Sequence, residues 1–137
     1  MVSLPTNLEI HHTDSQKLIH SASIRALKQE SNKLVLIRLN QLAKQHGFTY
    51  RSARIKQLKS RWGSCGPQKD IIINCFLIQL PWDLIDYVLL HELMHTRIMA
   101  HGPRFWDELD KYIINLKDKR RRIRVQQPSL MPQPISS

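Results

Sequence analysis

Apolar residues recur at helical spacing through the first third of the chain. The segment 13–16 (Thr-Asp-Ser-Gln) fits a capping box, which predicts a helix start. Gly47 is suited to end the helical region because glycine adopts left-handed backbone angles without strain. Ser31 and Asn32 interrupt the series, so the pattern predicts either two helices or one kinked helix. The apolar positions that carry this prediction are Leu18, Ile19, Ala22, Ala26, Leu34, Ile37, Leu42 and Ala43.

The pattern changes to short apolar runs after the glycine. Residues 49–58 alternate apolar and basic side chains and predict a strand, and the β-branched run 71–77 predicts a second. Glycines and a proline between them indicate a turn. We therefore expect an antiparallel strand pair, although the connection 62–69 is long for a hairpin.

Two more helices are predicted in the last third. Pro81 is tolerated at a helix start, and residues 82–100 continue as a strongly apolar helix. Gly102-Pro103 then breaks the chain and opens another helix. The apolar face of that helix consists of Phe105, Leu109, Tyr112 and Leu116.

These elements predict an α+β fold in one domain, the size that 137 residues can support with a single core. The segment 1–12 has no clear periodicity, and we expect a loose N-terminal arm. The domain itself is expected to span residues 13–116. Beyond it, residues 117–137 are basic and then rich in Gln, Pro and Ser, a composition typical of a disordered tail.

The charge of the chain adds a candidate partner. Lys and Arg number 21 against 11 Asp and Glu, a formal net charge of +10, and half of that excess falls in residues 117–124. A run of this kind indicates possible nucleic-acid binding, and the alternative is a solvated basic tail. The sequence has no apolar run of membrane-spanning length and no recognisable signal peptide. Cys65 and Cys75 lack the spacing of a zinc knuckle, and as packing residues they favour a reducing, cytoplasmic location.

The helix 82–100 contains a motif with chemistry of its own, His91-Glu92-Leu93-Met94-His95. Positions i and i+4 lie on one face of a helix, so both imidazoles can reach a single metal ion. Glu92 would then lie beside an open coordination position. This H-E-x-x-H arrangement is typical of zinc hydrolases and predicts a zinc metallopeptidase.

A catalytic zinc site takes three protein ligands and leaves one position for water. His101 is the natural third ligand, because the break at Gly102-Pro103 lets its ring approach from another direction. Glu108 on the following helix is the alternative. Zinc lowers the pKa of bound water from 15.7 toward about 7, and Glu92 would act as the general base. The sequence identifies neither an oxyanion stabiliser nor the residues that bind substrate.

Several stretches together resemble the YgjP-like metallopeptidase family. They are Ser60-Arg-Trp-Gly-Ser-Cys65, Ile71-Ile-Ile-Asn74, the segment from Ile85 through His95, and His101-Gly-Pro-Arg-Phe-Trp106. The resemblance runs over residues 34–116. It implies a minimal zincin-like fold related to the SprT-like and Wss1-like proteases, with a protein or peptide as substrate. It also implies zinc ligands at His91, His95 and His101 and a catalytic role for Glu92.

Three residues near these motifs have two interpretations each. Trp62 either lines the cleft or braces the metal-binding helix, or it is a core aromatic that stabilises the turn between strands. Ser64 and Asn74 either support a zinc-binding histidine through hydrogen bonds or belong only to the turn and strand.

Two functions compete with the peptidase. One is a nucleic-acid-associated protein, which is compatible with a protease recruited to DNA. The other is a structural zinc domain without turnover. Glu92 disfavours the structural domain, because a purely structural site usually closes its fourth position with another ligand.

Overall fold

The computed structural model describes residues 5–131, with side chains described from residue 14 onward. Residues 1–4 and 132–137 lie outside the described part. In chain order the helices and strands are α1 (Pro5–Glu30), a π-helical segment (Ser31–Val35), α2 (Leu36–His46), β1 (Ser52–Lys56), β2 (Gly63–Cys65), β3 (Asp70–Asn74), a 3-10 helix (Cys75–Gln79), α3 (Trp82–His95), α4 (Pro103–Asp110) and α5 (Leu116–Arg124).

The first helix starts earlier than the sequence predicts. It begins at Pro5, so the expected loose arm is wrong for residues 5–12, and residues 13–16 lie inside the helix rather than at its start. Proline suits a first helical turn, and no helix breaker follows before Gly47. Although α1 has 26 residues, neither it nor another helix in the described residues is apolar enough to cross a membrane.

The predicted interruption and end of this helical region are confirmed. Ser31 opens the π-helical segment, a widened turn that joins α1 to α2 without a break. Gly47 ends α2 with φ 74°, in the left-handed region that glycine adopts most readily.

The sheet confirms the α+β class but corrects the strand pairing. Its order is β1-β3-β2, with β1 parallel to β3 from Ser52↔Asp70 to Lys56↔Asn74. The predicted antiparallel arrangement of these two strands is therefore wrong. The long connection between them forms β2, which returns antiparallel to β3 in the register Gly63↔Ile73. β2 is thus an edge strand of the sheet.

β3 ends sooner than the predicted strand 71–77. The side chain of Asn74 accepts a hydrogen bond from the backbone N–H of Phe76 at 3.1 Å and caps the 3-10 helix there. This local hydrogen bond competes with continued strand pairing, a common effect of asparagine side chains.

α3 lies in the centre of the molecule and is buried on nearly all sides. It packs against α2, β2, α4 and α5. Its buried residues include two polar ones, Glu92 and His95, with 6% and 7% of their surface exposed. Burial of ionisable groups has a free-energy cost, so their place in the core calls for a chemical reason.

The segment expected to be a disordered tail contains helix α5, so that expectation is wrong for residues 117–124. Leu116 is buried, and Arg122 reaches Asp83 of α3 with a 2.6 Å ion pair. Asp118 pairs with Arg121 at 2.6 Å, one helical turn away. The buried Leu116 and the Arg122–Asp83 pair attach the basic segment to the domain, and the Asp118–Arg121 pair supports the helix itself.

Candidate metal centre

The structure brings the three predicted histidines together. The Nε2 atoms of His95 and His101 are 2.8 Å apart, those of His91 and His101 are 3.1 Å apart, and those of His91 and His95 are 3.2 Å apart. Within the described residues, this is the group of three whose ligand atoms converge closely enough to hold a metal ion. Glu108, the alternative third ligand, is instead ion-paired with Lys111 at 3.1 Å.

The local backbone geometry explains how His101 comes to lie beside His91 and His95. α3 ends at His95 rather than continuing to residue 100, so the next residues turn back. Gly102 is extended and Pro103 opens α4. His101 therefore approaches the histidines of α3 from a separate segment, as three ligands around one ion require.

His95 is held in the tautomer that metal binding needs. Its Nδ1 lies 3.0 Å from the backbone carbonyl of Ile98, and a carbonyl can only accept a hydrogen bond. Nδ1 must then carry the proton, which leaves a lone pair on Nε2. Hydrogen bonds of this type orient metal-binding histidines in proteins.

The surroundings also favour neutral imidazoles. Burial, together with the neighbouring histidines, lowers the pKa of His91 to about 3. Burial likewise lowers the pKa of His95. Metal ions bind the neutral ring, so these histidines are ready to act as ligands without first losing a proton.

Aromatic rings hold the histidines from the side of α4. Phe105 stacks on His95 with ring centroids 4.5 Å apart, and it meets both His91 and His101 at 5.0 Å. Trp106 stacks on His101 at 5.8 Å, and the guanidinium of Arg120 lies 3.6 Å from the centre of the Trp106 ring. α4 and α5 therefore support the exposed histidine.

Glu92 packs against the backbone of β2. A Cβ atom at Gly63 would lie 3.0 Å from Glu92 Cγ and 3.1 Å from the carbonyl oxygen of Ile72, so any larger residue would crowd Glu92. Burial raises the pKa of Glu92 to about 8, and the positive charge of Arg61 opposes that shift. A metal cation on the adjacent histidines would favour the carboxylate and lower this pKa.

An open cleft of about 350 Å³ exposes these groups. Arg61, Gly63, Ser64, Cys65 and Met99 line it together with Glu92 and the three histidines. Burial and the nearby carboxylate of Glu92 raise the pKa of Cys65 to about 11, so its thiol is protonated near neutral pH. Both cysteines pack against the hydrophobic core as predicted, and Cys65 also forms part of the cleft wall.

The remaining predicted residues have distinct places. Among the described residues, Asn74 makes no hydrogen bond to a histidine, and it donates instead to the carbonyls of Leu58 and Arg61 at 2.9 and 2.8 Å. Trp62 packs against the hydrophobic core and does not line the cleft, whereas Ser64 does. Sequence reasoning missed Arg61 and Gly63. A glycine next to a large aromatic residue was the available signal for close backbone approach.

The donor set fits a zinc ion. Ligands about 2.0–2.1 Å from tetrahedral zinc lie about 3.3–3.4 Å apart, close to the spacing of the three Nε2 atoms. Imidazole nitrogens suit zinc, and three of them leave a fourth position toward the cleft. The buried carboxyl of Glu92 lines the same cleft.

This fold and site define a minimal metallopeptidase. The chain matches the family described as YgjP-like, metallopeptidase domain, over residues 3–126. It therefore belongs to the YgjP-like metallopeptidase family, and it is a metallopeptidase. The match extends the resemblance beyond residues 34–116 and takes in the basic helix α5.

The chain is similar to two solved structures, and the first of them agrees with the fold. The metallopeptidase zymogen abylysin of Pyrococcus abyssi is 23% identical with a TM-score of 0.60, over 71% of this chain and all (100%) of that one. The metallopeptidase zymogen jannalysin of Methanocaldococcus jannaschii is 25% identical with a TM-score of 0.47, over 73% of this chain and 92% of that one. A search of curated protein sequences found no significant match.

Proposed function

We propose that this protein is a zinc-dependent endopeptidase in which His91, His95 and His101 bind the metal and Glu92 is the general base. The convergence of three Nε2 atoms within 3.2 Å of one another, beside a buried glutamate, carries the proposal. Zinc bound there would lower the pKa of a water molecule toward about 7 and polarise the scissile carbonyl.

Glu92 is positioned to move the proton. It neighbours His91 on α3, and Gly63 leaves room for its side chain between helix and strand. From there the carboxylate accepts a proton from the attacking water and delivers it to the leaving amine. General acid–base catalysis of this kind typically contributes about 10²–10⁴ in rate.

We propose that the peptide substrate lies extended along β2. The sheet order leaves β2 paired on one side only, and its three residues all line the cleft. Backbone groups on an unpaired strand edge can form hydrogen bonds with an added peptide strand. An extended peptide held in this way presents an internal bond to the metal site, which supports endopeptidase activity.

Glu92→Gln is the decisive variant. It preserves side-chain size but removes the base, so we expect about one zinc per chain and a loss of at least 10²-fold in peptide hydrolysis. Glu108→Gln is the matched control, because Glu108 pairs with Lys111 on α4 and should leave both zinc and activity unchanged. Metal analysis by mass spectrometry and a peptide-cleavage assay give both quantities. Unchanged activity or loss of zinc in Glu92→Gln would contradict the role assigned to Glu92.

The two thiols bear on location. Cys65 and Cys75 are unpaired cysteines in the fold, and free thiols persist in reducing compartments. This supports the proposal that the protein acts in the cytoplasm.

Nucleic-acid binding through α5 is a second proposal, supported by the exposed Lys117 and Arg124. Four of the six basic residues in the segment already have partners within the domain: Lys119, Arg120, Arg121 and Arg122. We therefore expect a weak interaction. The slope of DNA affinity against salt, measured for the intact chain and for Lys117→Gln/Arg124→Gln, tests it. A slope near zero in the intact chain would contradict this second function.

A further inference from the structure

Arg61 is the cation of the proposed catalytic cleft. It precedes β2 by two positions, its side chain is exposed, and it lines the cleft together with Glu92 and the three histidines. Its guanidinium makes no hydrogen bond or ion pair with any residue in the described part of the chain. Its charge is nevertheless close enough to act on the carboxyl of Glu92.

Other arginines near functional elements have internal partners. Arg97 lies 3.8 Å from the ring centre of Phe48 and donates to the carbonyl of Gly47 at 2.9 Å. Arg38 pairs with Asp86 at 2.7 Å. These arginines stabilise the fold, whereas the guanidinium of Arg61 keeps all of its donors available toward the cleft.

The backbone of Arg61 is held firmly. The carbonyl of Arg61 accepts a 2.8 Å hydrogen bond from the side chain of Asn74, which is fully buried. The backbone N–H of Asn74 also donates to the carbonyl of Trp62 at 2.9 Å. The chain on which Arg61 stands is thus fixed before any ligand arrives, which lowers the entropic cost of binding.

A planar guanidinium with free donors pairs best with a carboxylate, to which it can donate two parallel hydrogen bonds. Among the residues lining the cleft, Glu92 is the one carboxyl group, and it is buried against Gly63. We propose that Arg61 is a specificity-determining residue that binds a carboxylate of the peptide substrate. This inference rests on the proposed peptidase function and adds a substrate class to it. The carboxylate can be an acidic side chain or the C-terminus of a short peptide.

Matched peptides test the inference on the zinc-loaded, full-length protein. The first set consists of pairs of peptides with blocked termini. The two members of a pair are identical except at one position, which is Glu in one and Gln in the other, and this position moves along the peptide from pair to pair. A second set compares a free C-terminal carboxylate with its amide. We expect kcat/KM to favour the acidic member of one set by about tenfold, mainly through KM, as for a charge-assisted hydrogen bond at a partly exposed site. The set that responds identifies the source of the carboxylate.

Arg61→Gln should reduce that preference to about one while zinc content stays at wild type. Arg54→Gln is the matched control, because Arg54 is an exposed arginine of β1 outside the cleft and its loss changes the net charge equally. Arg61→Glu should reverse the preference toward a Lys-containing peptide of the same series.

Three results would overturn the inference while leaving the peptidase function intact. The first is that the wild type cleaves the acidic and neutral peptides equally. The second is that Arg61→Gln slows both members of a pair by the same factor, which assigns Arg61 to the scissile carbonyl instead. The third is that Arg54→Gln removes the preference as well as Arg61→Gln does.

If the wild type cleaves none of the peptides, the proposed peptidase function fails. Carboxylate recognition by Arg61 is then tested by peptide binding alone. Kd values for the same pairs are then measured on zinc-loaded Glu92→Gln protein with and without Arg61→Gln. A preference for the acidic member that depends on Arg61 supports carboxylate recognition, and equal Kd values overturn it.

Discussion

His95 and His101 reach the same point from opposite environments. His95 belongs to a buried helix, has 7% of its surface exposed, and is oriented by the carbonyl of Ile98. His101 is exposed, follows the end of that helix, and is held mainly by ring contacts with Phe105 and Trp106. One part of the site is therefore built into the core, whereas the other part is assembled on its surface.

This contrast has a physical consequence for metal binding. Core residues around α3 fix His91, Glu92 and His95 whether or not an ion is present. The turn that carries His101 has few buried contacts of its own, so we expect a metal ion to contribute more to its order. Five substitutions test this contrast.

Phe105 contacts both the buried and the exposed histidines. It has no exposed surface and contacts all three histidine rings. We expect Phe105→Ala to lower the free energy of unfolding by about 3–5 kcal/mol in metal-free protein, because it leaves a cavity in the core. Ile114→Ala, at a position 88% exposed, is the control and should change stability by less than about 0.5 kcal/mol. Denaturant titration measures both. A loss below about 1 kcal/mol for Phe105→Ala would mean that α4 is not part of the core.

Gly63→Ala tests whether β2 fixes the position of Glu92, in the buried part of the site, by its effect on the catalytic rate. The added methyl group would meet Glu92 Cγ at 3.0 Å and the Ile72 carbonyl at 3.1 Å, and the backbone atom cannot move easily. Glu92 must therefore shift by a few tenths of an ångström. Because a displacement near 1 Å can cost about 10²-fold in rate, we expect this smaller shift to lower kcat by up to about tenfold with zinc retained. Full activity in this variant would show that the position of Glu92 is not fixed by β2.

His95→Ala and His101→Ala compare the two environments directly. Both variants should lose stoichiometric zinc, because each removes one of three ligands. In metal-free protein, however, His95→Ala should reduce stability by about 1–3 kcal/mol through a lost buried contact and hydrogen bond. His101→Ala should stay within about 0.5 kcal/mol. Equal losses of stability would erase the proposed distinction between the two histidines.

Arg120→Gln should have the smallest effect. It removes a cation from the face of Trp106 at a partly exposed site, an interaction that typically contributes about 0.5–1 kcal/mol. We expect zinc affinity to fall by no more than about fivefold, through looser support of His101. Arg121→Gln, which changes the charge equally but contacts Asp118, is the control. Competition with a chelator measures both affinities, and equal losses would exclude a specific role for Arg120.

The sequence predicted the histidine cluster better than the sheet. His91 and His95 follow from helix periodicity alone, and His101 follows from the chain break that comes after it. Strand β2 was missed because Gly63, Ser64 and Cys65 have no β-branched member, and its pairing depends on distant Ile73. The parallel register of β1 and β3 likewise has no local signal.

The helix α5 was missed for a related reason. Its residues are mostly charged, so apolar periodicity gives little indication of structure. Its attachment depends on a partner far away in sequence, the pair of Arg122 with Asp83. Charge pairs one turn apart within α5 were the available signal. Arg61 also had no local signal, because its role depends on which groups the fold places beside it.

The π-helical segment sets a limit on how the chain can vary in length. A π turn contains one residue more than the α-helical turn that it replaces. Ser31, at its start, is buried and donates to the carbonyl of Cys75 at 3.3 Å, which fixes α1 against a small core that contains Ile24. Deleting one residue here would restore a regular helix and rotate α1 by about 100° relative to α2. Ile24 would then leave that core, so this junction should accept substitutions far more readily than deletions.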